Sequence, residues 1–293
     1  MVQRNQEDSQ TGRTIFEEFT TVVTLKEQMR VTDLVWQDFL QHLQVSQVQE
    51  RHIAMLWTLV LTNPKCVETD FSSPPWNNAS LVTPRHGVRW IWNDVALRKH
   101  RQETQSIILE CQVEDTIKGQ PLTLHERYAA LLRQQGADSR QHKQDLLDIV
   151  RVACGMKVMV TQSVETDLDI TNGACGTIVN IWLNPDEPPI STVQPLIQLK
   201  YMPVCILVKL DHTQATQLKE LEKSVIPVEP TCKPYRITCQ TAEGSIVTCT
   251  VHRCQFPMTA AYAFTDYRSQ GQTIPAVIVD ITTPPTGKCC QPP

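Results

Sequence analysis

The chain's 293 residues, 41% hydrophobic and 20% charged, have the make-up of a folded globular protein and exclude a disordered or fibrous chain. Such a length supports one large domain or two smaller ones, each able to bury its own core. With 27 basic against 31 acidic side chains, the net charge of −4 excludes a uniformly cationic coat for nucleic acid, but not a local basic groove. No apolar run reaches the roughly 18 residues of a membrane-spanning helix, and the polar start MVQRNQEDSQTGR has no signal-peptide core. A nuclear or cytosolic protein, not a secreted one, is expected, with its cysteines reduced. The eleven cysteines are odd in number. Cys154, Cys175, Cys205 and Cys239 sit mostly in apolar or strand-like surroundings, where a thiol acts as a small hydrophobe.

In chain order, a polar leader over 1–18 is expected to be disordered, and Phe19–Leu25 (FTTVVTL) is β-branched enough for a short buried strand. Asp33 is placed to cap a helix through Leu43, whose Val35, Phe39, Leu40 and Leu43 form one apolar stripe. A second helix is predicted over Gln49–Leu61, stopping near Asn63-Pro64. Ser72–Asn78 reads as a loop, Ala79–Thr83 as a strand, and Val88–His100 and His125–Gln135 as helices, the last closed by Gly136. Strands alternating with helices define an α/β layer fold. After about residue 155 the pattern changes. Val158–Thr161, Thr177–Leu183, Cys205–Leu210, Tyr235–Cys239 and Ile246–Val251 read as short strands separated by turn signals such as Asn172-Gly173 and Pro188-Pro189. They predict a small β-barrel inserted into the α/β body.

The densest chemistry lies in Thr259–Ile281, TAAYAFTDYRSQGQTIPAVIVDI. A polar elbow between two apolar runs gathers Thr265, Tyr267, Arg268, Ser269, Gln270, Gly271 and Gln272, a set of hydroxyl, amide and guanidinium donors suited to phosphate. This elbow resembles the late Thr-x-x-Lys-Ser-Gln-Gly-x-Thr motif of superfamily 1 helicases of the Pif1/RecD type, with Arg268 in place of Lys and Tyr267 where His is frequent. Three more stretches are similar to the same family, in its order. Val22–Arg30 looks like the segment whose Arg reaches the γ-phosphate of ATP, where a guanidinium stabilises charge on the transferring group. Leu81–His86, followed by Val88–Leu97 with Asn93, is similar to the strand and helix that carry a Thr and an Asn along the single strand, with His86 replacing that Asn. Gly155–Val160 through Asn172–Thr177 resembles the segment that opens the family's inserted barrel, with Cys175 where a basic residue is common. The nearest likeness is to the Pif1-like helicases of helitron-type mobile elements and dispersed fungal copies.

The resemblance implies a RecA-like second motor lobe, a three-layer parallel sheet, with an inserted SH3-like β-barrel. Its divisions are a leader over 1–18, a first part over 19–163, the insertion over 164–252, a return strand with the late motif over 253–283, and an irregular tail over 284–293. It further implies Arg30 as the catalytic residue and Gly271 and Gln272 at the nucleotide. Thr83, His86, Thr265, Tyr267, Arg268, Ser269 and Gln270 would lie along single-stranded DNA. ATP and Mg²⁺ serve the intact family enzyme, in DNA repair, recombination or mobile-element replication. This sequence has no Gly-x-x-x-x-Gly-Lys-[Ser/Thr], and Thr286-Gly287-Lys288 lacks the preceding Gly. An ATP-binding lobe is therefore expected as a missing partner, with no cofactor bound by the chain alone, and a non-catalytic single-strand-binding or interaction module is the rival class. Cys232, Cys239, Cys249, His252 and Cys254 lack the paired spacing of a zinc site, so no metal is expected.

Overall fold

The computed structural model describes residues 2–21, 23, 29, 31–135, 146–163, 171–191, 194–213, 217–240 and 245–282. The chain divides into two compact units, Met1–Thr69 and Asp70–Pro293.

The first unit is helical. The leader expected to be disordered forms α1 (Val2–Glu17). The segment expected to be a strand near Phe19 has Phe19, Thr20, Thr21 and Val23 outside any strand, and its other residues lie outside the described ones. Asp33 caps α2 (Leu34–Gln44) as predicted, its Oδ1 accepting from the amides of Val35 at 2.8 Å and Trp36 at 3.0 Å. The next helix, α3 (Glu50–Trp57), stops four residues short of the predicted end. His52 pins α3 to α2. Its Nδ1 accepts the Gln49 amide at 3.2 Å and its Nε2 lies 2.7 Å from Asp38 Oδ2, with the ring buried against Phe39.

Among the described residues the second unit holds four sheets. Strands β1 (Ser80–Val82), β14 (Ala263–Phe264) and β15 (Val277–Val279) make a parallel sheet in the order β14-β1-β15. Parallel neighbours need a crossover connection, and α4 (His86–Thr104) leaves β1 to supply it, burying Asn93 and Leu97. The mainly antiparallel remainder begins with β2 (Ile108–Gln112), β3 (Glu114–Ile117), β4 (Gln120–Pro121), β5 (Ile149–Val152) and β6 (Lys157–Val160). It continues through β7 (Cys175–Trp182), β8 (Leu196–Gln198), β9 (Cys205–Leu210), β10 (Val225–Val228), β11 (Thr231–Gln240), β12 (Ile246–Gln255) and β13 (Met258–Ala260). These strands form the sheets β10-β9-β7-β6-β13, β11-β12-β3-β4 and β5-β2-β8.

The five strands predicted after residue 155 are all present. The barrel is a different matter: among the described residues no sheet closes on itself, and the strands sit in separate sheets. All three sheets of the remainder also cross the expected borders of the insertion, because β6 and β13 lie together on one side of the five-stranded sheet, β3 pairs with β12, and β8 pairs with β2. The main core, with Val152, Met156, Val158, Ile206, Val208, Val228 and Phe256 fully buried, fills the space around the five-stranded and three-stranded mixed sheets. A second core joins Leu122 and Ala130, from the region of α5 (Leu124–Gln135), to Tyr235, Ile237 and Val251. Gly136, read as the stop of α5, lies outside the described residues.

The cysteines depart from expectation at one pair. Cys232 and Cys254 face each other directly across β11 and β12, with Cα atoms 4.1 Å apart, and are disulfide-bonded. Cys111, Cys205 and Cys239 are free and buried, and burial raises each thiol above its ordinary range.

One buried charge organises the β11-β12-β3 sheet. The Arg253 guanidinium is almost wholly covered; its Nε and Nη2 donate to Asp115 at 2.9 and 2.7 Å and its Nη1 to Asp148 at 2.8 Å. Burial opposes the cation, but Asp115, Tyr235 and Asp148 outweigh that and hold it charged. Arg253→Ala leaves Asp115 uncompensated beside the second core, and removing one partner of a buried pair costs about 3–5 kcal/mol. An unfolding free energy lowered by that amount is expected in denaturant titration, and a change within about 0.5 kcal/mol would contradict the arrangement.

Candidate nucleic-acid interface

The three parallel strands end at one edge, and each ends in a polar residue: Thr83 after β1, Thr265 after β14 and Asp280 after β15. The backbone continues the ladder one step past the strands, with Thr83 N–H donating to Phe264 O at 3.0 Å and Asp280 N–H to Val82 O at 2.8 Å. In open α/β sheets the carboxyl edge is where ligands bind, because the turns there present unpaired donors. Here it carries two turns side by side, Thr83–His86 leading into α4 and Thr265–Gln272 containing α6 (Asp266–Ser269).

The Thr83 side chain has no exposure. Its hydroxyl donates to Asp280 Oδ2 at 2.7 Å and accepts the Arg85 amide at 3.2 Å. Arg85 closes the group through Nε and Nη2, at 3.1 and 2.7 Å from the same oxygen. Hydrogen bonds from Thr282, Thr83 and Arg85 hold the Asp280 carboxyl far below the ordinary carboxylate range. Thr83, expected along the strand of DNA, therefore braces the edge from inside. Asp280 and Arg85 are the residues that sequence reasoning missed here; the signal was an acid at the end of a β-branched run.

A second amide clamp sets the other turn. The chain passes from β13 in one sheet to β14 in another within two residues, leaving the Tyr262 and Ala263 amides without ladder partners. Asn93 of α4 supplies them: its Oδ1 accepts from Tyr262 N at 3.1 Å and Ala263 N at 2.8 Å, and its Nδ2 donates to Ala263 O at 3.4 Å. Phe264 then packs with Met159 and Ala261 in a small core of its own.

The late turn divides into held and open residues. Thr265 is buried, and its carbonyl accepts from the Arg268 and Ser269 amides at 3.0 and 2.9 Å. The Ser269 hydroxyl donates to Asp266 O at 2.8 Å. Gln272 reaches across to the turn before β7, its Nε2 donating to Gly173 O at 2.7 Å and its Oε1 accepting from Cys175 Sγ at 3.6 Å. Two segments read separately in the sequence thus meet through one amide, and a residue expected at the nucleotide is engaged within the protein. Gly271 follows α6 with φ of +83°, a conformation that side chains rarely adopt. His86, Tyr267, Gln270 and Gly271 are exposed, Tyr267 at 83%, and Arg268 is half-buried. Arg30 lies outside the described residues.

Other clusters are already satisfied. The ligand atoms of Asp38, His42 and His52 lie within 4.8 Å of one another. However, His52 Nδ1 accepts an amide, so its Nε2 carries the proton facing Asp38, and that geometry leaves no lone pair for a metal. Two hollows of about 320 and 620 Å³ lie away from the edge, around Arg151 and Arg253, and both arginines are paired with carboxylates. No helix among the described residues is long and apolar enough to cross a membrane.

No protein-family profile and no curated protein matches the sequence. Solved structures do. A Pif1 helicase from Bacteroides, in complex with ADP-AlF3 and ssDNA, superposes with a TM-score of 0.52 at 16% identity, over 89% of this chain and 46% of that one. A Pif1 helicase from Candida albicans is 19% identical, with a TM-score of 0.49, over 89% of this chain and 50% of that one. The likeness to the Bacteroides enzyme shows a mixed α/β fold of the Pif1-helicase type, and the chain spans less than half of that enzyme's length.

The clamps make two stability predictions. Asn93→Ala strands the Tyr262 and Ala263 amides, and at about 1–3 kcal/mol for an unsatisfied buried group an overall loss of about 2–3 kcal/mol is expected in urea unfolding. Asn93→Asp keeps the acceptor and should recover part of it. Asp280 has a lowered folded pKa, so its stabilisation is complete above the unfolded value of about 4 and is lost as pH falls through the folded value. Asp280→Asn should be less stable at pH 7 and lose less on acidification below about pH 4 than the parent. Parallel acid limbs for the two proteins would refute the assignment.

Proposed function

We propose that this chain is the second motor lobe of a Pif1-type ATP-dependent DNA helicase and that its sheet edge lies along single-stranded DNA. The observation that carries the reading is the pairing of the Thr83–His86 and Thr265–Gln272 turns on adjacent parallel strands, within a fold of the Pif1-helicase type. Tyr267 offers a face for base stacking, while Arg268, Gln270 and His86 offer donors or charge to the backbone. Thr83, Thr265, Ser269 and Gln272 hold those residues in place. The Bacteroides neighbour was solved with both ADP-AlF3 and ssDNA.

In this reading the strands β7 to β12 derive from the family's SH3-like insertion, although among the described residues they lie in open sheets and not in a closed barrel. ATP and Mg²⁺ would bind chiefly to a partner lobe, since these 293 residues contain no phosphate-loop motif. Gly271, with its open surroundings, could face that nucleotide, and Arg30 would reach its γ-phosphate. The setting is nuclear or cytosolic DNA repair, recombination or mobile-element replication, with a helitron-type origin.

Two measurements test the reading. The chain alone should show no DNA-stimulated ATP hydrolysis, because nothing in its sequence can cradle the β- and γ-phosphates; turnover that copurifies with it through further steps would overturn the assignment to the second lobe. It should bind oligothymidylate with a dissociation constant in the micromolar range or weaker. Stacking on one aromatic contributes about 1–3 kcal/mol, so Tyr267→Ala should weaken binding with little change in salt slope. Equal affinity for parent and Tyr267→Ala would remove the stacking platform.

A further inference from the structure

Two guanidinium groups at the sheet edge have no counter-charge among the described residues. Arg89, in the first turns of α4, and Arg268, in α6, rise from the two turns that follow the adjacent strands β1 and β14. Both are half-buried, and neither makes a side-chain hydrogen bond or ion pair among the described residues. The Nε of Arg89 is fully covered and has no hydrogen-bond partner. Burial first, and then the charge of Arg268, work against the Arg89 cation, and burial works against that of Arg268. The nearby acids offer no relief: Asp280 is taken by Thr83 and Arg85, and Asp266 is exposed in the first turn of α6 without an ion pair.

Two like charges kept close, partly desolvated and unpaired, are unfavourable in the protein alone. A structural arginine would have been matched with a carboxylate, as Arg85, Arg151 and Arg253 are. The missing partner is an anion with several oxygens, which can accept from both planar forks at once. Phosphate fits that description, and the exposed ring of Tyr267 beside Arg268 supplies the stacking face that a nucleic acid adds to it.

We infer that Arg89 and Arg268 form one two-pronged site for a single backbone phosphate of single-stranded nucleic acid, with Arg89 as a binding residue that the motif comparison did not mark. This rests on the proposed single-strand role of the edge and adds a residue to it. Arg89 reaches the site from the helix that carries Asn93, so the clamp holding α4 on β14 also sets the spacing of the two prongs.

The experiment compares the full chain with Arg89→Met, Arg268→Met and the double variant by fluorescence anisotropy on labelled oligothymidylate at two sodium chloride concentrations. Thermal melting is recorded with and without the oligonucleotide. Methionine keeps the apolar stem and removes the charge. Each single variant should bind about 5–20-fold more weakly and lose up to about 0.7 from the magnitude of the logarithmic salt slope, the share of one phosphate on a single strand. The double variant should lose less than the product of the two, since both prongs serve one group. Without ligand, Arg89→Met should melt at the same temperature as the parent or higher, because a repulsive, unpaired group has gone. A lower melting temperature with unchanged affinity would make Arg89 structural and overturn the inference.

Weaker binding by Arg268→Met alone, with Arg89→Met equal to the parent, would also overturn it while leaving the single-strand reading intact. A parent chain that fails to bind the oligonucleotide at low salt would sink both. Inorganic phosphate and ATP serve as comparison ligands in the melting assay. Stabilisation by either that exceeds the oligonucleotide's and disappears in Arg89→Met would overturn the nucleic-acid strand as occupant, in favour of a free or nucleotide phosphate.

Discussion

The Asp280 carboxylate is the point on which the parallel sheet edge depends. It lies 197 residues from Thr83 and 195 from Arg85, yet one of its oxygens receives both. A three-stranded parallel sheet with strands of two or three residues has few ladder bonds to hold it. Side-chain bonds beyond the strand ends must therefore fix the order β14-β1-β15. Asp280 does so on the β15 side and Asn93 on the β14 side, where the chain changes sheets. With both in place, the turns after β1 and β14 are held next to each other, and the exposed side chains on them inherit that spacing.

The edge separates residues that hold from residues that reach. Thr83, Thr265, Ser269 and Gln272 spend their polar atoms or their surface inside the protein, whereas His86, Tyr267 and Gln270 are exposed, and Arg89 and Arg268 are half-buried with no side-chain hydrogen bond or ion pair among the described residues. His86 already has an interaction within the protein, so it is the least available of these. A polar motif is thus half scaffold, and a list of polar identities cannot tell the halves apart. The distinction follows from depth: Thr83, one step past β1, is fully buried with its hydroxyl on Asp280, while Tyr267, two residues past Thr265 and within α6, is exposed.

Much of the local structure was legible because it depends on local rules. Asp33 announced a helix through its capping chemistry, and the β-branched runs at Cys205–Leu210 and Val277–Val279 announced strands. What was not legible was pairing. Nothing in Glu114–Ile117 says that it will lie beside Cys254, and nothing in Ile108–Gln112 says that it will run parallel to Leu196–Gln198. The expectation of a closed barrel failed for that reason: short alternating strands specify strands, but closure depends on the register of partners far apart in sequence. The leader failed differently. Polar composition without an apolar stripe looks disordered, yet Val2–Glu17 forms a helix, with the Arg13–Glu17 pair one turn apart within it. At the site, two of the four matched segments, Leu81–His86 and Thr265–Gln272, lie side by side at the edge, while Arg89 carried no signal, since an arginine early in a helix is ordinarily solvated.

The bond between Cys232 and Cys254 ties together the outer ends of the longest hairpin among the described residues, at positions 22 residues apart. Any single scission between them opens the loop but releases no mass until the sulfurs are reduced. On a denaturing gel such a nicked chain runs intact without thiol and as two pieces with it. In a reducing compartment that tether is absent, and the hairpin relies on its ladder, on Arg253 and on the small core around Ile237 alone.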